Sequence, residues 1–517
     1  NAEECFLSQL PATPSLAAEL YNLRLVTKAL LFNAVSKMRT TILSGNDPAL
    51  FQLFIQWQDK REYLAKVYRM SLEEKSINEI SQVQLEDEVN VLEKELSKRS
   101  ELFLKTQDRK TYTWKDVQDR LAPGEAAIEI IQTQRRTNEV KKVYVMLLVK
   151  PGILLPEVIV LENGDELENK FVRYYRNAIN QKMTDAISYD QFWKPITGKL
   201  SGVKKVYVSA DGVFNQINLN TLFNKASNRF LMDEMEIRSV TTTKDLVVTQ
   251  EAITHIPDAS LFGYPKYNTS LPAENNAIGM SVNIPLLKKD SAQRFFDGEN
   301  ITELPGTKRE IETIAAILNQ EKVSVKTFVL ADASEEKLKS LQQPSVLHIA
   351  THGYFLQDLV KSANGERGFA GFSDEVVVEN PLLRSGLLLS GARAAFSKTN
   401  HSATGSDGLL TAYEAMNLNL DKTDLVVLSA CETGLGVTVN GEGVYGLQRA
   451  FSVAGARYTL MSLWKVDDTA TQEFMTSFYK AWMNQLDVNH ALRKAQREVR
   501  SKYPEPYYWG AFVLSGL

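Results

Sequence analysis

Two stretches decide the reading of this chain: Val346-Leu-His-Ile-Ala-Thr-His-Gly-Tyr-Phe355 and Asp424-Leu-Val-Val-Leu-Ser-Ala-Cys-Glu-Thr-Gly-Leu-Gly436. Each is an apolar run of strand length that ends on a reactive side chain, His352 in the first and Cys431 in the second. A short, continuous apolar run bounded by polar residues and glycine reads as a strand buried on both faces, as in a parallel sheet. Ligand sites in open parallel sheets gather outside the carboxyl ends of the strands. A thiol and an imidazole delivered there form a nucleophile and its base, since the imidazole lowers the thiol pKa and can later protonate a leaving amine.

Working outward, the pattern after Thr111-Tyr-Thr-Trp114 alternates strand-length apolar runs with amphipathic helical segments. That alternation is the signature of parallel βαβ construction. In the first half, Ala126–Gln132, Val143–Val149, Ile153–Leu161 and Lys205–Ser209 are expected strands. A loop rich in Asn, Ser and Pro from about Tyr267 to Asn300 marks a boundary, so subdomains of residues 111–290 and 291–517 are expected. The second half restarts with helix Thr307–Asn319 and strand Val323–Leu330. Helix Ser334–Leu341, strands Val346–Ala350 and Ser385–Leu389, helix Thr411–Met416 and strand Leu425–Ser429 follow. Helix Gly443–Ala454, strand Tyr458–Ser462 and helices over about 469–486 and 489–502 close the chain. The fold class is α/β, with two doubly wound, mostly parallel sheets. The first half has no cysteine, and its one histidine, His255, lies away from any strand end. It reads as an inactive partner of the second.

Residues 1–110 differ in kind. Apolar residues recur at helical spacing through Leu16, Leu20, Leu23, Leu25 and Leu30, and Leu85, Val89, Leu92 and Leu96 are spaced like a heptad seam. An all-α region is expected here, a helical hairpin or short coiled-coil arm that also suits the end of a helical repeat array. The chain opens on Asn1, which suggests a piece of a longer protein.

Bulk properties narrow the function classes. At 517 residues the chain exceeds one compact core. A formal net charge of -4 without a basic tract gives no reason to expect nucleic-acid binding. No run approaches the length of a membrane span, and no secretion signal is visible. Two cysteines, Cys5 and Cys431, exclude a disulfide scaffold and fit a reducing, cytoplasmic setting. Cys5, in the helical region, reads as a half-buried structural thiol. Cysteine and histidine are too few for a metal cluster, so neither a metal nor another cofactor is expected.

His348 complicates the histidine assignment, because strand alternation puts it on the same face as His352. His352 is favoured because His348 sits inside the apolar run and should be buried. A lone strand-end histidine more often makes a structural hydrogen bond, whereas Cys431 at a strand-to-loop junction is poorly explained as a small buried apolar residue. The two glycines after Cys431 could aim backbone N–H groups at a developing oxyanion. Gly441-Glu-Gly443-Val-Tyr-Gly446 fits G-x-G-x-x-G, but it follows a loop and lacks the acidic residue of a dinucleotide site.

Several blocks together resemble CHAT domains: His348-Ile-Ala-Thr-His-Gly-Tyr-Phe355, Leu428-Ser-Ala-Cys-Glu-Thr-Gly434, Gly441-Glu-Gly-Val-Tyr-Gly-Leu-Gln-Arg-Ala-Phe451, Ser462-Leu-Trp-Lys-Val-Asp-Asp-Thr469 and Tyr508-Trp-Gly-Ala-Phe-Val-Leu-Ser-Gly516. Trp114, Ser209-Ala-Asp-Gly212, Leu304-Pro-Gly-Thr307 and Asp407-Gly-Leu-Leu-Thr411 agree, so the resemblance covers about residues 111–517. It implies a caspase/separase-like cysteine peptidase, usually bacterial and often preceded by tetratricopeptide repeats, with a pseudo-protease half before the active half. It further implies His352 as base, Cys431 as nucleophile, an oxyanion hole from the amides of Gly353 and Cys431, and a dyad without a third orienting carboxylate. By analogy with related separases, Asp468, with Asp467 as second candidate, would pair with a substrate Arg or Lys. The competing role for either Asp is to cap the helix that starts near Thr469.

The reading that follows is an endopeptidase cutting a protein substrate after a basic residue, with a regulatory protein partner docked on the N-terminal helices. A scaffold with a vestigial dyad is the alternative, and an acyl transferase using the same dyad differs only in its acceptor.

Overall fold

A computed structural model describes residues 15–28, 39, 42, 47–68, 72–104, 112–136, 140–248, 252–269, 296–297, 300–356, 380–396, 406–430, 433–435, 437–439, 443–465 and 467–516. Three long helices lead the chain: α1 (Leu16–Thr27), α2 (Pro48–Val67) and α3 (Gln82–Leu104). Asp47 starts α2, its Oδ1 accepting from the amides of Ala49 at 3.0 Å and Leu50 at 3.1 Å, with Pro48 in the first turn. Both residue types are suited to that end, where backbone donors lack partners. Leu85, Val89 and Leu96 of α3 bury against Phe54, Trp57 and Leu64 of α2, so the heptad-like spacing is the seam of a helical hairpin. Cys5 lies outside the described residues.

The first sheet contains β1 (Glu125–Arg136), β2 (Val140–Val149), β3 (Glu157–Leu161), β4 (Lys205–Ser209) and β5 (Glu236–Val240), in the order β3-β2-β1-β4-β5. β1, β4 and β5 run parallel, while β2 is antiparallel to β1 and β3 is antiparallel to β2. β3 starts later than the expected Ile153 because Pro156 has no N–H to give a ladder. Helix α4 (Val172–Asn180) buries Val172, Tyr175 and Ile179 in the core below this sheet.

The second sheet is built from β6 (Asp258–Pro265), β7 (Ser324–Leu330), β8 (Val346–Ala350), β12 (Leu425–Ser429), β15 (Tyr458–Ser462) and β16 (Phe512–Gly516). Its order is β7-β6-β8-β12-β15-β16, parallel except for β16. Between β8 and β12 the chain makes a separate three-stranded sheet of β9 (His352–Phe355), β10 (Ser385–Leu388) and β11 (Leu409–Thr411). The expected strand at Ser385 therefore exists but belongs to this side sheet. Hairpin β13 (Val437–Val439) and β14 (Gly443–Tyr445) precedes α6 (Leu447–Val453), so that helix starts at Leu447 rather than at the expected Gly443.

β6 lies ahead of the expected 290/291 boundary yet pairs with β7 and β8, so sheet membership changes before Asp258. β6 precedes the Asn-, Ser- and Pro-rich stretch and α5 (Pro305–Gln320) follows it, most of that stretch lying outside the described residues. Helices α5, α7 (Asp468–Gln485) and α8 (Val488–Lys502) cover one face of the second sheet, and their Ile311, Phe478, Trp482 and Leu492 share one core with Ile128 and Val206 of the first sheet. The halves are further joined by a two-point contact of Arg500 with Asp233 at 2.8 and 2.9 Å. Asn218 adds a hydrogen bond to the Gly510 carbonyl at 2.7 Å.

β8 and β12 are buried at every position, whereas Val91 on α3 is 62 % exposed. Leu428→Ala should lower unfolding free energy by about 2–5 kcal/mol. Val91→Ala should stay within about 0.5 kcal/mol. Denaturant melts of the two variants check the contrast.

Candidate active site

β8 and β12 are neighbours in register from Val346↔Leu425 to Ala350↔Ser429, and the Thr351 amide donates to the Ser429 carbonyl at 3.3 Å. Thr351-His352 after β8 and Ala430 after β12 therefore leave the sheet from neighbouring strand ends. From β6 the chain adds β7 on one side and β8 on the other, so the crevice between β6 and β8 is the switch point of this sheet. Such a point leaves room for a ligand outside the carboxyl ends.

The strand breaks at Thr351, which sends the two histidines apart. His348 is fully buried under α5 and α7, with Nδ1 3.1 Å from Tyr479 Oη. Its Nε2 lies 3.2 Å from Glu310 Oε1 without hydrogen-bond alignment. Burial, and then the Glu310 charge, pushes the Tyr479 phenol well above its ordinary pKa. His348 thus belongs to the helix-covered core.

His352 opens β9 and is 7 % exposed. Its Nε2 lies 2.8 Å from the Thr302 carbonyl oxygen. A carbonyl only accepts, so Nε2 carries the proton of this contact. Thr302 is held by its neighbour: the Asn268 amide donates to the Ile301 carbonyl at 2.9 Å and accepts from the Ile301 amide at 2.8 Å. The Tyr267 ring packs 5.2 Å from the imidazole, and its hydroxyl bonds Thr351 Oγ1 at 2.9 Å. Sequence reasoning missed these three residues. Thr302 acts through its backbone, which no side-chain pattern betrays. Tyr267 and Asn268 fell in the stretch read as a boundary loop, although the apolar run Ala259–Phe262 before them was a signal for a strand end.

Cys431 and Glu432 lie outside the described residues, but the chain on either side is firmly held. The Ala430 carbonyl accepts from Ser462 Oγ at 2.5 Å and from Thr433 Oγ1 at 3.2 Å. The Gly434 amide donates to the Ser462 carbonyl at 2.8 Å. That N–H is therefore spent on the frame and not offered to an oxyanion. A Cβ on Gly434 would lie 3.0 Å from both Leu463 Cδ2 and Met461 Cγ, so a side chain there would have to push its neighbours aside. Gly353 is buried and pairs with Leu387 in the side sheet.

The two aspartates part in role. Asp467 caps α7, its Oδ1 accepting from the amides of Thr469 at 3.0 Å and Ala470 at 3.1 Å. Asp468 is exposed, with Oδ2 3.3 Å from where a Cβ on Gly306 would sit. Asp468 therefore lies beside the first turn of α5, which Gly306 belongs to. Among the described residues, no group of three or more His, Cys, Asp or Glu is placed to hold a metal ion. Nor is any described helix long and apolar enough to cross a membrane.

The family model for the CHAT domain matches residues 188–517. The chain belongs to the CHAT domain family. The match begins inside the first half, later than the expected residue 111. Tetratricopeptide repeat protein 28 of Mus musculus is 30 % identical over 205 residues, 39 % of this chain and 8 % of the relative. Its Homo sapiens counterpart is 24 % identical over 324 residues, 62 % of this chain and 12 % of the relative. The match thus spans a small part of either relative's length, and their names are consistent with a CHAT region joined to tetratricopeptide repeats. Two solved structures are loosely similar, each with a TM-score of 0.34. The Arg-specific cysteine proteinase gingipain R is 8 % identical, covering 68 % of this chain and 75 % of that one. The separase–securin complex of Saccharomyces cerevisiae is 11 % identical, covering 90 % of this CHAT chain and 27 % of that one.

With ¹⁵N-labelled histidine, the His352 signal should report the Nε2–H form at neutral pH, and Asn268→Ala should broaden or shift it. An Nδ1–H signal would contradict the Thr302 contact. Asp467→Ala should cost about 1 kcal/mol for the lost cap. Asp468→Ala should leave the melting temperature unchanged.

Proposed function

We propose that this CHAT protein is a cysteine endopeptidase with a caspase-like catalytic half and an inactive first half, and that it cuts a protein substrate after Arg or Lys. The observation that supports the reading is the β8–β12 register, which sets the strand ends before His352 and before Cys431 next to each other. In this mechanism the Cys431 thiol loses its proton to His352 Nδ1, and Sγ attacks the scissile carbonyl carbon. The amides of Gly353 and Cys431 stabilise the oxyanion that forms. As the C–N bond breaks, His352 returns the proton to the leaving amine and a thioester remains. Water, deprotonated by His352, then releases the carboxylate product and restores the thiol. Thr302 does not take part in proton transfer; its carbonyl holds the imidazole so that Nδ1 is the basic nitrogen. Asp468 is the specificity residue in this reading: Asp467 is engaged as a cap, while Asp468 is exposed beside Gly306. The enzyme works in the cytoplasm and is regulated by a protein partner on the N-terminal helices.

A second reading, a scaffold, is favoured by one observation: the curated relatives are named for their repeats. A fluorogenic peptide library with varied residues before the scissile bond separates the two. The wild type should cleave after Arg or Lys, and Cys431→Ala and His352→Ala should each lose at least about a thousandfold in kcat. Asp468→Ala should lower kcat/KM for Arg substrates by about tenfold to a hundredfold. Turnover by Cys431→Ala above a few per cent of wild type, or cleavage blind to basic residues, overturns the corresponding part.

A further inference from the structure

The first sheet has a switch point of its own. From β1 the chain adds β2 and β3 on one side and β4 on the other, so a crevice opens where β1 and β4 part. Glu129 and Ser209 are register partners there, and Asp211 follows two residues on. Ser209-Ala210-Asp211 in fact repeats the pattern Ser429-Ala430-Cys431 of the second half, with a carboxylate in place of the thiol. Glu129, Ser209 and Asp211 are fully buried.

The crevice is filled by α1. Arg24 Nη2 donates to Asp211 Oδ2 at 2.7 Å, and Lys28 Nζ reaches Glu129 Oε2 at 3.3 Å and also bonds Ser209 Oγ. Tyr21 Oη meets Thr243 Oγ1 at 2.8 Å. The receiving side is prepared for charge: Glu129 Oε1 accepts from the Thr243 amide at 2.6 Å and from its hydroxyl at 2.8 Å. Asp211 accepts from the Gln132 amide at 3.2 Å and the Gly212 amide at 3.0 Å. Arg24 and Lys28 stand one helical turn apart and are 1 % and 2 % exposed, so two positive charges meet two negative ones away from water. Among the described residues, Arg24 Nε and Nη1 find no acceptor. A guanidinium left with open donors at this depth is held by its carboxylate and not by a saturated core network.

We infer that the strand-end crevice of the first half is a binding site for a helix carrying Arg and Lys one turn apart, and that its occupant is α1 of this same chain. The half without a thiol is then a receptor, built at the strand ends where β1 and β4 part. It couples the chain at α1 to the first sheet through the Arg24–Asp211 and Lys28–Glu129 pairs.

The test leaves every buried residue in place. A recognition sequence for a site-specific protease is inserted within residues 29–38 of the full chain, and the purified protein is nicked there. The N-terminal piece should co-elute with the remainder in gel filtration. A fluorescent synthetic peptide of residues 15–28 should exchange into the nicked protein. The same peptide carrying Arg24→Gln and Lys28→Gln should bind at least tenfold more weakly. Separation of the piece from the nicked chain under native conditions overturns the inference. So does equal exchange of the two peptides, which would mean that apolar packing alone holds α1.

Discussion

Everything at the candidate site depends on the parallel register of β8 with β12. Both strands are buried on both faces, so their side chains sort strictly by parity: Val346, His348 and Ala350 toward the α5–α7 side, Leu347 and Ile349 toward the other. A slip of one residue would expose His348 to the wrong core, strip Tyr479 of its partner and shift the strand ends that carry His352 and Ala430. Hydrophobic sorting and a buried polar contact thus fix the same register, and that register sets two chain exits side by side.

The two halves solve one topological problem in different ways. Each sheet reverses its direction of growth beside its first strand, and each therefore has a crevice at the carboxyl ends. In the second half the crevice is lined by Tyr267, Thr351 and a histidine steered by a backbone carbonyl. In the first half it is packed with paired charges. Those charges persist in the core because each carboxylate also accepts backbone N–H bonds, which offsets part of the cost of leaving water. The shared core between the sheets makes the halves one packed body, so a change at either crevice acts on a common frame.

Much of the fold was legible because buried parallel strands have a strong signature, and β8, β12 and β15 sit where their apolar runs predicted. His352 stood out by its position after an apolar run and before glycine. What escaped had physical reasons. β6 was hidden by the polar connection that follows it, and composition marks loops better than it marks which sheet a strand joins. β10 reads as an apolar run whichever sheet it enters. Thr302 contributes a carbonyl that every residue owns. Arg24 and Lys28 lie on the buried stripe of α1, where a pattern of leucines gives no hint that two cations share the face. The aspartates were resolvable only with coordinates, since capping and substrate contact ask for the same side chain in the same helical turn.

The central claim is that His352 and Cys431 act as one unit, and the most direct measurement is the pH dependence of Cys431 alkylation by iodoacetamide, followed by peptide mass spectrometry. A coupled pair predicts that wild-type Cys431 reacts at pH values well below the ordinary thiol pKa of about 8.5, and that His352→Ala returns its profile to that value. Identical profiles in the two proteins, both following an ordinary thiol, would contradict it.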